Sequence, residues 1–262
     1  MTPHETRRLR AIATAAKVLL DCGITTLPVS LNTIVKRLGI SCMTYQEMAL
    51  QKDCSVEDIC REAGSMEGTA SRMQGNLMVT YNDDRPEDRK RFTVAHEIGH
   101  IVLGHLNHIE GHTLKRGSCP LKHFLFFEDE ANDFARNLLA PPVAQELRQN
   151  QNVLTTQVIF GMSKTAASMR CMKIGHDIEV LKRSGLYSHQ KEQFTDFVRA
   201  FPEGPVKENR CLDIRKKSCG VYLDSSVKYC QHCGAPTTDF VKGRVRYLDG
   251  RTKGSAFRSF GN

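Results

Sequence analysis

The stretch "RFTVAHEIGH", residues 91–100, places two histidines and a glutamate inside an otherwise apolar run. On a helix, His96 and His100 stand one turn apart on one face with Glu97 beside them, while Phe92, Val94, Ala95, Ile98, Ile101, Val102 and Leu103 supply apolar surface. Imidazoles at i and i+4 can converge on one metal ion, and zinc accepts neutral histidine nitrogens and carboxylates. Glu97 is then placed to act as a base toward water at that ion. The context upstream predicts the helix. "NLMVTYND", residues 76–83, alternates Leu77, Val79 and Tyr81 against Met78 and Thr80, as a strand does, before an Asn-Asp-Asp turn. Asp83 or Asp84 offers a cap, Pro86 suits the first turn, and Glu87 and Asp88 complement the helix dipole. The spacing predicts a helix that runs to about Gly104.

A catalytic zinc needs a third protein ligand. An extended pattern with glycine and histidine at 103 and 106 is excluded, because both positions are leucine. His105 falls about 140 degrees around a continuous helix from His100, which suits a surface or supporting residue and not a ligand. Downstream, "FFEDEANDFARNLLAPP" reads as a second helix ended by Pro141, with Ala131, Ala135 and Leu138 on its buried stripe. Glu128 extends that stripe by one turn. Glu130 lies about 200 degrees away, and Asp129 and Asp133 also turn off the stripe, so Glu128 alone is expected to face inward, with Asn132 placed to orient it. The competing reading of Glu128 is a carboxylate favoured by a helix N-terminus. Tyr81, His105 and His108 are candidates to stabilise an oxyanion, and sequence places none of them within reach.

These two segments carry a family resemblance. "RKRFTVAHEIGHIVLGH" followed by "EDEANDFARNLLAPP" resembles the ImmA/IrrE metallo-endopeptidases, and the likeness extends through "LPVSLNTIVKRLGI", "MVTYND" and "GMSKTAASMR", about residues 10–185. The segment 46–75 departs from the family's pattern. The resemblance implies an α+β fold, a mainly helical zincin-like domain with a small sheet. It also implies His96, His100 and Glu128 as ligands of a catalytic zinc, with Glu97 as the base. The expected activity is that of a regulatory protease that cuts a helix-turn-helix repressor of a mobile element or stress response.

Charge divides the chain. Residues 207–262 hold 12 of the 37 Lys and Arg but only 5 of the 29 Asp and Glu, so this tail carries +7 while the first 206 residues carry +1. "AFPEGPVKEN", residues 200–209, has linker punctuation, which sets a boundary near Pro205 between a peptidase domain, 1–205, and a basic module, 206–262. The tail contains "KYCQHCGAP", whose Cys230 and Cys233 form a zinc knuckle, while Cys211 and Cys219 form a less regular partner pair. A small structural zinc ribbon is expected there, with His232 as a substitute for Cys211 and unrelated reduced cysteines as the competing reading. The tail also suits contact with DNA or with an acidic protein surface.

The start, "MTPHETRRLRA", is charged where a secretory signal turns apolar, and no stretch reaches the roughly 18 apolar residues of a membrane span. A cytoplasmic protein without a membrane partner is expected. "VLTTQVIFGMSKTAASMRCMKI", within 153–185, outlines a helix-turn-helix; a packed pair completing the catalytic domain is preferred, because Lys164, Ser168 and Arg170 are few for reading bases. The alternative function is a DNA-binding or adaptor protein with an idle zincin core.

Overall fold

Helical spacing of Ala11, Ile12, Ala15, Ala16 and Leu19 buries one stripe of the first helix, α1 (Pro3–Asp21). The chain is described by a computed structural model at residues 3–147 and 152–200, with two short strands beyond. Ser30 caps α2 (Leu31–Arg37), its side chain accepting from the Thr33 N–H. Strand β1 (Ser41–Thr44) follows and leads into α3 (Tyr45–Lys52) and α4 (Val56–Ala63). Both of these helices open with reciprocal capping boxes, Thr44 with Glu47 and Ser55 with Asp58. Thus part of the segment that departs from the family pattern becomes a pair of short helices, with a small core of its own formed by Tyr45, Ala49, Ile59, Cys60 and Ala63.

The sheet has three strands in the order β1-β3-β2. Strands β2 (Gly68–Met73) and β3 (Asn76–Tyr81) form a hairpin in which Met73 opposes Asn76. Gln74 and Gly75 both take positive φ in its two-residue turn, the geometry that matches the strand twist. β1 pairs with β3 in parallel, so β3 is central. This position covers both its faces where it runs beneath the helices, and Val79 and Thr80 are both buried.

Against the sheet lies α5 (Glu87–Val102), and across α5 lies α6 (Leu121–Leu139), which is backed on its far side by α1. Pro86 stands at the start of α5 with no side-chain cap. Neither aspartate caps the helix: Asp83 accepts from Lys90 Nζ at 2.7 Å, and the Asp84 N–H donates to Asn82. At the other end α5 stops at Val102, two residues short of expectation, because Gly104 turns left-handed (φ 75°) into a short 3-10 turn, His105–Asn107. The main core joins α1, α2, β3, α5 and α6 with Ile159, Phe160 and Ala167 of the helices that follow and Met162 of the turn between them.

After α7 (Pro142–Leu147) come α8 (Val153–Phe160), α9 (Lys164–Arg183) and α10 (Tyr187–Ala200). Gly161 and the Ser163 cap make the turn of the predicted helix pair. Arg170 is fully buried and donates to Asp177 Oδ2 (2.7 Å), Asn137 (3.1 Å) and Gln145 (3.2 Å), so it is held inside the fold and is not presented to a base. Burial lowers its pKa to about 10, which leaves it charged opposite Asp177. Strands β4 (Asn209–Arg210) and β5 (Tyr222–Leu223) pair antiparallel. The boundary at Pro205 and Cys211, Cys219, Cys230, Cys233 and His232 lie outside the described residues. The six described cysteines are all free thiols. Among the described residues no helix is long and apolar enough to cross a membrane.

Arg170→Met should destabilise the protein by about 3 kcal/mol in urea unfolding, the low end for breaking a buried pair, because Arg8 and Arg136 still face Asp177. A change of less than about 0.5 kcal/mol, as for an ordinary surface substitution, would show that the pair is not a structural tie.

Candidate metal centre

Helices α5 and α6 can touch closely because Gly99 has no side chain. A Cβ there would come within 2.9 Å of the Phe134 ring and 3.3 Å of the Ala131 Cα. This approach brings the third residue of the expected set beside the first two. His96 Nε2 lies 2.9 Å from His100 Nε2, and the Glu128 carboxylate lies 3.3 Å from each. One ligand atom from each residue falls in a single cluster within 4.8 Å. Ligand atoms at zinc-nitrogen and zinc-oxygen distances around a tetrahedral ion sit about 3.3 Å apart, so the donor types and their spacing both fit zinc. Glu128 is well inside α6, which begins at Leu121, so the reading of it as an N-terminal helix charge is set aside.

Electrostatics at His100 and Glu128 agree with that donor set. Burial drives the His100 pKa down to about 3, leaving a neutral imidazole. Burial alone would raise Glu128, but hydrogen bonds with His100 and His96 outweigh it and hold the carboxylate below its ordinary range. For His96, burial is outweighed by the Glu128 hydrogen bond, the nearby Glu97 charge and Asn132, and its pKa is raised. Glu97 is buried beside them, and burial pushes its pKa up to about 7; His96 opposes this shift and the Glu128 charge adds to it. A carboxylate with proton affinity near neutrality is well matched to general base work.

A cavity of about 260 Å³ opens on the cluster, lined by His96, Glu97, His100, Glu128, Leu114 and Phe124 together with Gly64, Ser65, Gly68, Lys115 and Arg116. A larger cavity, about 770 Å³, contains none of these four residues; Asn132 and Phe92, both neighbours of His96, are part of its lining. Asn132 Oδ1 lies 3.1 Å from His96 Nδ1, so it orients His96 and not Glu128 as expected.

One further expectation needs correction, and another is narrowed. Glu130 does not turn to solvent: it is 3% exposed and bound by Arg10 of α1, because the far side of α6 is covered by that helix. Of the two expectations for His105, a supporting residue and a surface residue, the structure agrees with the first: it is wholly buried, with Nδ1 at 2.8 Å from His100 Nδ1, because the helix breaks at Gly104 and the 140-degree projection no longer applies. None of the three oxyanion candidates lines the cluster's cavity: His105 lies behind His100, His108 is exposed beside Phe127, and Tyr81 lines a separate cavity with Lys90 and Glu87. Lys115 and Arg116 line that cavity instead, and no spacing rule marked them in "LKRGS".

Residues 53–172 match the family model of the IrrE N-terminal-like domain, a peptidase family. The match runs from the end of α3 into α9 and spans all four residues of the site, and it includes most of the departing segment 46–75. No curated protein and no solved structure matches the chain.

Gly99→Ala should lower stability by about 1–2 kcal/mol, the cost of overpacking partly offset by the better helix propensity of alanine. Urea unfolding measures it, and an unchanged or higher midpoint would show that the helices have room to spare.

Proposed function

We propose that the protein is a zinc-dependent endopeptidase in which His96, His100 and Glu128 hold the metal and Glu97 is the general base. The observation that carries this reading is the convergence of His96, His100 and Glu128, with Glu97 lining the same cavity, inside a segment that matches a peptidase family. Zinc bound there supplies Lewis acidity toward water and toward the scissile carbonyl. Glu97 takes the proton of the attacking water on its carboxylate and delivers it to the amide nitrogen as the C–N bond breaks. Asn132 holds the His96 ring by Nδ1, leaving Nε2 free to donate. Of the cationic side chains lining the cavity, Lys115 donates to the Glu62 carbonyl at 3.5 Å, which leaves Arg116 as the candidate for a developing oxyanion, and Leu114 and Phe124 exclude water beside it.

The protein substrate we propose is a helix-turn-helix repressor of a mobile element or stress response, cut in the cytoplasm. The +7 tail would bring the enzyme to that substrate, either on an acidic protein face or on the DNA the repressor occupies, with Cys211, Cys219, Cys230 and Cys233 holding a second, structural zinc. An idle core with the tail acting alone finds no support in a site whose four residues are intact and assembled.

Glu97→Gln should bind one catalytic equivalent of zinc as the parent does while peptide cleavage falls by at least about 100-fold, since it removes a base and no ligand. Glu128→Ala should instead lose metal affinity. A Glu128→Ala protein with full zinc content and activity would overturn the ligand set. Elemental analysis of the full chain should find two zinc per molecule, falling to one when Cys230 and Cys233 are both replaced by serine. Two equivalents in that double variant would rule out the ribbon.

A further inference from the structure

A histidine offers a metal only the ring nitrogen that carries no proton, so the partner of the other nitrogen decides whether it is ready to bind. His100 presents Nε2 to His96 and Glu128, and its Nδ1 lies 2.8 Å from His105 Nδ1. His105 Nε2 in turn lies 3.0 Å from Glu130 Oε2, and Glu130 is held by Arg10 Nε at 3.2 Å and Nη2 at 2.5 Å. The His105 ring stacks on Phe127, 4.4 Å between centroids and 17° from parallel, which fixes its orientation. His100, His105 and Glu130 are all shielded from water, and Arg10 is the half-exposed end of the line.

The donor and acceptor roles along this line follow from one end. A guanidinium only donates, so Glu130 is a carboxylate that only accepts. His105 must therefore donate from Nε2. Arg10 already meets the Glu130 charge, so the wholly buried ring between Glu130 and His100 is a neutral imidazole with one N–H, and its Nδ1 is an acceptor. His100 must then carry its proton on Nδ1, and its Nε2 lone pair is left bare toward Glu128 and His96. In the opposite tautomer, an Nε2–H would point into the cluster and block donation.

We propose that Arg10, Glu130 and His105 form a buried positioning relay that sets the tautomer and ring angle of His100, and so tunes the affinity of the centre for its divalent metal. The proposal rests on the reading of His96, His100 and Glu128 as ligands. A carboxylate commonly meets a ligating histidine directly; here a second imidazole is inserted between them. Arg10 belongs to α1, outside the residues that match the family model, so this helix contributes to the metal centre from beyond the matched domain.

The test uses the full chain. His105→Phe keeps a ring against Phe127 and removes both nitrogens; its zinc affinity, measured by competition with a chromophoric chelator at fixed pH, should fall about 10- to 100-fold. His105→Gln, whose carbonyl can accept from His100 and whose amide can donate to Glu130, should recover much of that loss, and Arg10→Ala should show a smaller loss of the same sign. Nitrogen-15 NMR of the unaltered metal-free protein should find His105 protonated on Nε2 and His100 on Nδ1. Zinc affinity in His105→Phe equal to that of the parent, or the reverse tautomers, would overturn the relay. If a variant fails to fold, the NMR assignment of the parent decides. Failure of the parent itself to bind zinc at this centre would contradict the proposed function instead.

Discussion

The whole arrangement depends on how closely α5 and α6 approach. With Phe134 and the Ala131 backbone pressed against the bare Cα of Gly99, the face of α5 that carries two histidines meets the face of α6 that carries Glu128. A wider separation would move the carboxylate away from both imidazoles, because the cluster spans only 4.8 Å. The sheet and α1 act as backing: β3 supports α5 from one side, and α1 closes α6 from the other. The geometry of the site is thus a packing result before it is an electrostatic one.

Buried charge is handled in two ways in this fold. Around Asp177, the cations Arg170, Arg136 and Arg8 gather on one carboxylate and tie α9 to α1 and α6. Around the His96–His100–Glu128 cluster the polar groups run in a line, from the charged pair of Arg10 and Glu130 to the imidazoles of His105 and His100, so each has a partner and the line ends inside the cluster. Both arrangements satisfy groups whose isolation in a dry interior would be costly. Only the second points toward chemistry.

The parts of the site legible in sequence were those governed by regular periodicity. The His96–His100 pair, Glu97 between them and Glu128 on the apolar stripe of α6 follow from 3.6-residue spacing, and the helices are long enough for that rule to hold. The rule failed where its assumptions failed. It carried α5 past Gly104, where the backbone turns left-handed, and so left a surface place open to His105, which is buried behind His100. It treated the far side of α6 as solvent, when α1 lies there and Arg10 meets Glu130. Two signals were available in principle: a glycine just before His105, and an N-terminal amphipathic helix in need of a neighbour. The cavity wall formed by Lys115 and Arg116 had no such signal, because a loop between α5 and α6 obeys no period. The short helices of 45–63 were hidden in the same way, although Thr44 with Glu47 and Ser55 with Asp58 are capping pairs that the letters alone contain.

The central claim is that the close packing of two helices makes one metal centre from His96, His100 and Glu128. It is tested most directly by anomalous diffraction at the zinc edge from crystals of the full chain grown with zinc. The account predicts a peak bonded to His96 Nε2, His100 Nε2 and a Glu128 oxygen at about 2.0–2.2 Å, with His105 behind His100 and off the metal. A map with no peak between these residues, or with His105 or Glu130 in place of Glu128, would contradict it.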